Sequence, residues 1–215
     1  MDSFFNWIDS RFGIKEPHRR FLHRRLPERI TYLYCLGGVA FTLFLCLLFT
    51  GMLLSLYYVP SEQEAFQSTL RLTKEVRLGW LIRSLHKWAA HLFIVFIILH
   101  ALRVIVHRAY RPPRELNWIT GTLTLVVAFA SGFTGYLLPW DQRAYWATEV
   151  GTSMVATVPL IGNHLLYLIR GGPDVSGVTL VRFYSLHVLW LPLIMGFLLW
   201  AHFHMVKHQG ISGGL

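Results

Sequence analysis

The stretch GWLIRSLHKWAAHLFIVFIILHALRVIV, residues 79–106, decides the fold. Between Lys87 and Arg103 it holds no Asp, Glu, Lys or Arg, and Gly79-Trp80-Leu81-Ile82 and Val104-Ile105-Val106 extend the apolar run at either end. A helix crossing the hydrocarbon core of a bilayer needs about 20 mostly apolar residues. Three more charge-free runs lie between Arg29 and Glu62, between Glu115 and Asp141, and between Arg182 and Lys207. Four membrane spans are therefore predicted, at roughly 33–57, 80–106, 116–138 and 183–206. A soluble bundle is excluded, because four such runs in 215 residues that are 54% apolar leave no polar face for water to solvate.

The formal charge of +9 would suggest nucleic acid in a soluble chain, but here it reads as topology. An even number of spans puts both termini and the link between spans two and three on one side. That side collects twelve of the 20 Lys and Arg residues. The positive-inside rule then sets both termini in the cytoplasm or its equivalent. No signal peptide is visible, and Phe4-Phe5-Asn6-Trp7-Ile8 reads as part of an amphipathic surface segment over residues 1–32, ahead of a four-span domain over 33–215. Between the spans, 60–79 suits a short surface helix, and Val155–Ile169 one or two more. Trp140, Tyr145 and Trp146 suit the membrane interface.

Ionisable groups within spans are costly and mark function. Span two carries His86 and His100, fourteen residues apart, and span four carries His187 and His202, fifteen apart. Both intervals are close to four helical turns and rise by about 21 to 22 Å, most of the hydrocarbon thickness. Spans two and four run parallel, so His86 is level with His187 and His100 with His202. Two haems stacked across the bilayer, each iron between two imidazoles, account for this spacing. With both axial positions filled, such haems transfer electrons rather than activate oxygen. His91 and His204 point elsewhere by helical angle, and His18, His23, His107, His164 and His208 lie outside the spans or at their ends. Zinc or copper would need a tighter cluster.

Gly37 and Gly51 in span one, and Gly121 and Gly135 in span three, repeat the fourteen-residue interval. They are read as bare backbone against flat macrocycles. Arg83, Arg114 and Lys207 are the expected partners of haem propionates. Cys35 and Cys46 lie about 16 Å apart along one helix and cannot pair. By side-chain chemistry alone both are buried, inert thiols.

Several runs go further: Tyr34-Cys35-Leu36-Gly37-Gly38, Gly79-Trp80-Leu81-Ile82-Arg83-Ser84-Leu85-His86, Pro113-Arg114-Glu115-Leu116, Gly135-Tyr136-Leu137-Leu138-Pro139-Trp140-Asp141-Gln142, Arg182-Phe183-Tyr184-Ser185-Leu186-His187 and Lys207-His208-Gln209-Gly210-Ile211-Ser212-Gly213. On these the chain closely resembles the cytochrome b6 family, the short, split type of cytochrome b in cytochrome b6f-type and bacterial menaquinol:cytochrome c reductase complexes. The fifteen-residue interval in span four and the end after four spans both match that branch. The resemblance implies an all-α membrane bundle with two b haems and a third, c-type haem bound covalently at Cys35. It further implies a quinone or quinol substrate, and electron transfer in a Q cycle within a proton-translocating quinol:cytochrome c or plastocyanin oxidoreductase. The chain would not act alone. A subunit IV-like protein carrying a Pro-Glu-Trp-Tyr motif, a Rieske iron–sulfur protein and a c-type cytochrome are the implied partners, in a homodimeric complex of a bacterial inner or thylakoid membrane, with no nucleic acid. Arg19, Arg20 and Lys207 depart from the family's usual residues on the quinone-reducing side. The competing class is the dihaem membrane anchor of a formate dehydrogenase or hydrogenase.

Overall fold

The computed structural model describes residues 32–210. The expected amphipathic segment therefore lies outside the described residues except for Tyr32, as do Arg19 and Arg20. Every regular element among the described residues is helical. A 3-10 turn, Tyr32–Cys35, leads into α1, Leu36–Ser55. It is followed by α2, Ala65–Lys74; α3, Gly79–Val106; α4, Glu115–Leu137; α5, Gln142–Ala156; and α6, Gly162–Arg170. Then α7, Gly177–Ser185, passes through a π-helical turn, Leu186–Trp190, into α8, Leu191–Gln209. Four stretches are long and apolar enough to cross a membrane: Tyr32–Ser55, Gly79–Val106, Glu115–Leu137 and Gly177–Gln209. The fourth begins at Gly177 rather than near 183, because Ser176 and Thr179 form a reciprocal capping box that starts the helix early.

The spans pack chiefly as two pairs, α1 with α3 and α4 with α8. One cluster drawn from all four spans fills the middle of the bundle: Ala40 and Phe44, Phe93 and Ile97, Ala128, and Met195. In sequence each of these lies between the two histidine or glycine positions of its own span, so an apolar plug separates two levels. The outer faces keep Leu45, Phe49, Val126, Phe129, Phe197 and Trp200 exposed, which water would penalise and lipid does not.

The π turn reconciles the unequal histidine intervals. The Leu191 N–H bonds to the Leu186 carbonyl, five residues back. Pro192 follows at the start of α8, where it has no N–H to give and its ring crowds the carbonyl four residues earlier. In unbroken α-helix, fourteen residues return to within about 40° of the starting face, and fifteen overshoot it by about 60°. A single π turn absorbs one extra residue. The fifteen-residue step from His187 to His202 thus carries the angle of a fourteen-residue one.

At the end opposite the described termini, the connection from 138 to 176 forms two helices. The first starts at Gln142, well before the predicted Val155, because the Asp141 carboxylate accepts the Ala144 N–H at 2.8 Å as an N-cap. Arg170, 3% exposed, knots these helices together. It donates to Thr152 Oγ1 (2.7 Å), Ser153 Oγ (2.8 Å) and the carbonyls of Glu149 and Pro173, and it pairs with the Glu149 carboxylate at 3.0 Å. Removing one partner of a buried ion pair costs about 3–5 kcal/mol. Arg170→Met is therefore expected to open the segment 142–176 to limited proteolysis in detergent while the spans stay intact. Unchanged protease resistance would refute this role for Arg170. A second cluster, Ala65, Leu137, Val175, Leu180 and Phe183, closes this end. Beside it the Tyr58 hydroxyl donates to the Leu138 carbonyl at 2.6 Å and its ring stacks on Tyr184. Burial, then the neighbouring Tyr184, push the Tyr58 phenol above its ordinary value, so it stays a donor. The Gly177 N–H donates to Glu62, tying the α1–α2 connection to the start of α7.

Candidate functional site

Four histidines face one another inside the bundle in two pairs. The ring centres of His86 and His187 are 6.2 Å apart with planes at 75°, and those of His100 and His202 are 6.4 Å apart at 77°. A first-row metal bonds an imidazole nitrogen at about 2.0 Å, so two rings trapping one metal ion hold their centres about 6.2 Å apart. Both pairs have that separation. The predicted pairing, His86 with His187 and His100 with His202, is the one the structure brings together.

The far side of each ring is engaged. His187 Nδ1 donates to the Ser131 carbonyl at 2.9 Å, and His202 Nδ1 donates to the Asn117 carbonyl at 3.2 Å, with Thr120 Oγ1 at 3.4 Å. His86 Nδ1 lies 2.8 Å from Thr50 Oγ1. A proton fixed on Nδ1 leaves Nε2 with a bare lone pair, the form a metal requires. His100 Nδ1 is buried with no hydrogen-bond partner among the described residues.

Each predicted glycine lies against one of these rings. A Cβ on Gly37 would stand 3.1 Å from His100 Nδ1, on Gly51 3.3 Å from His86 Cε1, on Gly121 3.4 Å from His202 Cε1, and on Gly135 2.8 Å from His187 Nδ1. In this structure the bare backbone of each glycine meets an imidazole ring. Span one seats the rings of span two, and span three seats those of span four, which is why the fourteen-residue interval recurs on both.

The other predicted residues are distributed unevenly. Arg83 Nη1 donates to Thr73 Oγ1 at 2.9 Å, so part of its fork is taken by α2. Lys207 is exposed. Arg114 Nε is buried without a partner among the described residues, and so are Tyr34 Oη, Asn117 Oδ1 and Gln209 Oε1. All four belong to the His100–His202 end, where Arg103 also stacks 3.7 Å over the Tyr34 ring. The orphaned donors among them, Arg114 Nε and Tyr34 Oη, suit a bound group with carboxylate arms. Cys35, in the 3-10 turn that opens the first span, is exposed on the outside of the helix bundle, against the reading of its thiol as buried. Beside it, a Cβ on Gly38 would meet nothing within 4 Å. Cys46 is half-buried in the middle of α1.

His91 and His204 are exposed on the outer faces. The first is bonded through Nδ1 to the Lys87 carbonyl at 2.7 Å and the second stacks on Trp200. Sequence reasoning missed Thr50, Ser131 and Asn117 as supports of the histidines. Thr50 had a visible signal, a hydroxyl in mid-span beside a glycine of the repeat. The other two act through backbone carbonyls and had none.

Two level pairs of inward, glycine-seated imidazoles, one above the other, thus lie inside a four-helix bundle of the class whose helices are long and apolar enough to cross a membrane. A family described as Cytochrome b/b6/petB matches residues 21–210. Cytochrome b6 of Cyanidium caldarium is 41% identical, that of Synechococcus elongatus 40% and that of Auxenochlorella protothecoides 42%, each over 215 residues and the whole length of both chains. A chain of a hyperthermophilic respiratory Complex III superposes with a TM-score of 0.90 at 34% identity over 97% of this chain, which spans 56% of that chain. The chain belongs to the cytochrome b/b6 family, whose cofactor is haem b.

Proposed function

We propose that this chain is the cytochrome b6-like electron-transfer subunit of a quinol:cytochrome c or quinol:plastocyanin oxidoreductase, carrying one b haem between His86 and His187 and another between His100 and His202. The two facing imidazole pairs, with ring centres 6.2 and 6.4 Å apart, carry this reading. Bound haem supplies a one-electron couple at each level, a path for charge across the bilayer. The chain's own contribution is placement. Ser131, Asn117 and Thr50 hold three imidazoles in the ligating tautomer, Gly37, Gly51, Gly121 and Gly135 let all four rings reach the axis, and the mid-bundle cluster keeps water from the space between levels. Arg114, with its orphaned Nε, is the propionate partner the geometry favours; Arg83 and Lys207 are assigned the same role more remotely. By the positive-inside rule the His100–His202 level and both termini face the cytoplasm or stroma.

In this reading quinol is oxidised near the 138–176 connection, in a pocket completed by a subunit IV-like protein and a Rieske protein. A c-type cytochrome completes the complex, and two copies of it make a dimer. Electrons leave through the His100–His202 level to quinone on the other side, in a Q cycle that moves protons. Full-length likeness to cytochrome b6 chains favours this over a formate dehydrogenase or hydrogenase anchor.

A third haem is assigned to Cys35. Support comes from the exposed thiol, its position at the His100 level and the open space beside Gly38. Acid–acetone extraction of the purified protein, followed by a pyridine haemochrome assay, is expected to release two haems and leave one attached. Cys35→Ala should abolish the residual haem and keep the extractable pair. A variant that still retains bound haem after extraction overturns the covalent assignment, and protein without any low-spin haem overturns the function.

A further inference from the structure

Three of the four inward histidines have a partner at Nδ1, and at His86 the short bond comes from a side chain. His187 donates to a backbone carbonyl, which no substitution removes, and His202 does the same with Thr120 Oγ1 beside it at 3.4 Å. His86 meets a side chain, Thr50 Oγ1, at 2.8 Å. Thr50 is 4% exposed, and its hydroxyl proton is already spent on the Cys46 carbonyl at 2.7 Å. Its oxygen is left as an acceptor toward the ring, so His86 must carry its proton on Nδ1 and present Nε2 to the axis. A hydrogen bond at the remote nitrogen does more than orient a ligand. It raises the basicity of the ligating nitrogen, and for a haem it is one of the levers that set the reduction potential.

We propose that Thr50 is a positioning residue that acts through His86 Nδ1 to lower the reduction potential of the haem between His86 and His187. This inference rests on the haem reading above. Without the Thr50 acceptor, the His86 Nδ1 proton loses its 2.8 Å bond and keeps only the Leu47 backbone carbonyl nearby, so Nε2 becomes a weaker donor and the oxidised iron loses stabilisation relative to the reduced one. The haem at the other level has no contact with Thr50 and serves as an internal reference.

The test is a redox titration of the two b haems in the purified complex, unsubstituted and as Thr50→Val, which keeps the shape and removes the acceptor. One component is expected to move upward by about tenfold in its reduction equilibrium, or about 59 mV for a one-electron couple. The other component should stay in place, and Thr50→Ser should restore the original value. If Thr50→Val does not assemble, Thr50→Ala carries the same expectation. Retained haem with neither component displaced, or both displaced equally, overturns the inference and leaves the haem assignment standing. Unsubstituted protein without two low-spin haems would instead bring down the underlying reading.

Discussion

Replacing His187 with alanine is expected to remove one b haem and leave the other. The two levels share no ligand, and the apolar cluster of Phe44, Phe93, Ile97, Ala128 and Met195 lies between them, so loss at one level has no direct route to the other. At its own level the effect should be complete. His86 alone gives one axial bond. The methyl group of alanine leaves the Ser131 carbonyl without its 2.9 Å donor and opens a cavity against Gly135. The pyridine haemochrome assay should therefore report one extractable haem in His187→Ala, and likewise in His86→Ala. The remaining α-band should match the one lost in His100→Ala or His202→Ala. His91→Ala and His204→Ala, at exposed outward-facing positions, should keep the full complement. Crossed losses, in which His86→Ala and His202→Ala remove the same spectral component, would refute the level pairing.

Much of this arrangement was legible in the chain because membrane spans obey few rules. Charge-free length marks the helices, an even count makes spans two and four parallel, and helical periodicity then puts His86 level with His187. Packing between helices is where legibility fell short. The fourteen-residue glycine repeat was visible, but whether each glycine faced a ring, a macrocycle or a neighbouring helix depended on crossing geometry. The Thr50–His86 bond likewise spans two helices. The π turn is a different case. Pro192 inside a predicted span signals a disturbed turn, and an interval of fifteen opposite one of fourteen signals an extra residue; read together they locate it. The exposure of Cys35 was not legible either, because which side of a membrane helix faces outward depends on how its neighbours pack.

The same glycines supply a graded prediction. A methyl group added at Gly135 would sit 2.8 Å from His187 Nδ1 and 3.0 Å from Nε2, well inside the separation of about 3.5–4.0 Å at which non-bonded heavy atoms attract. His187 cannot easily retreat, since its Nδ1 is tied to Ser131 and its backbone lies in the π turn. Overpacking of this kind costs about 1–3 kcal/mol, enough to displace a ring that must stay aligned with the one opposite. Gly135→Ala is thus expected to lose or severely weaken the His86–His187 haem. Gly37→Ala, whose added carbon would lie 3.0 Å from His100 Cε1, should do the same at the other level. Gly51→Ala and Gly121→Ala, at 3.3 and 3.4 Å, call for adjustments of a few tenths of an ångström and should keep haem with altered spectra. Gly132 provides the control, since it lies on the same helix as Gly135 and an added Cβ there meets nothing within 4 Å. Gly132→Ala should retain both haems. Haem content and α-band position across the five variants decide between ring seats and ordinary helix contacts. Ring seats predict damage that follows distance to the imidazole and stays at one level. If Gly132→Ala were as harmful as Gly135→Ala, the repeat would be serving helix packing instead.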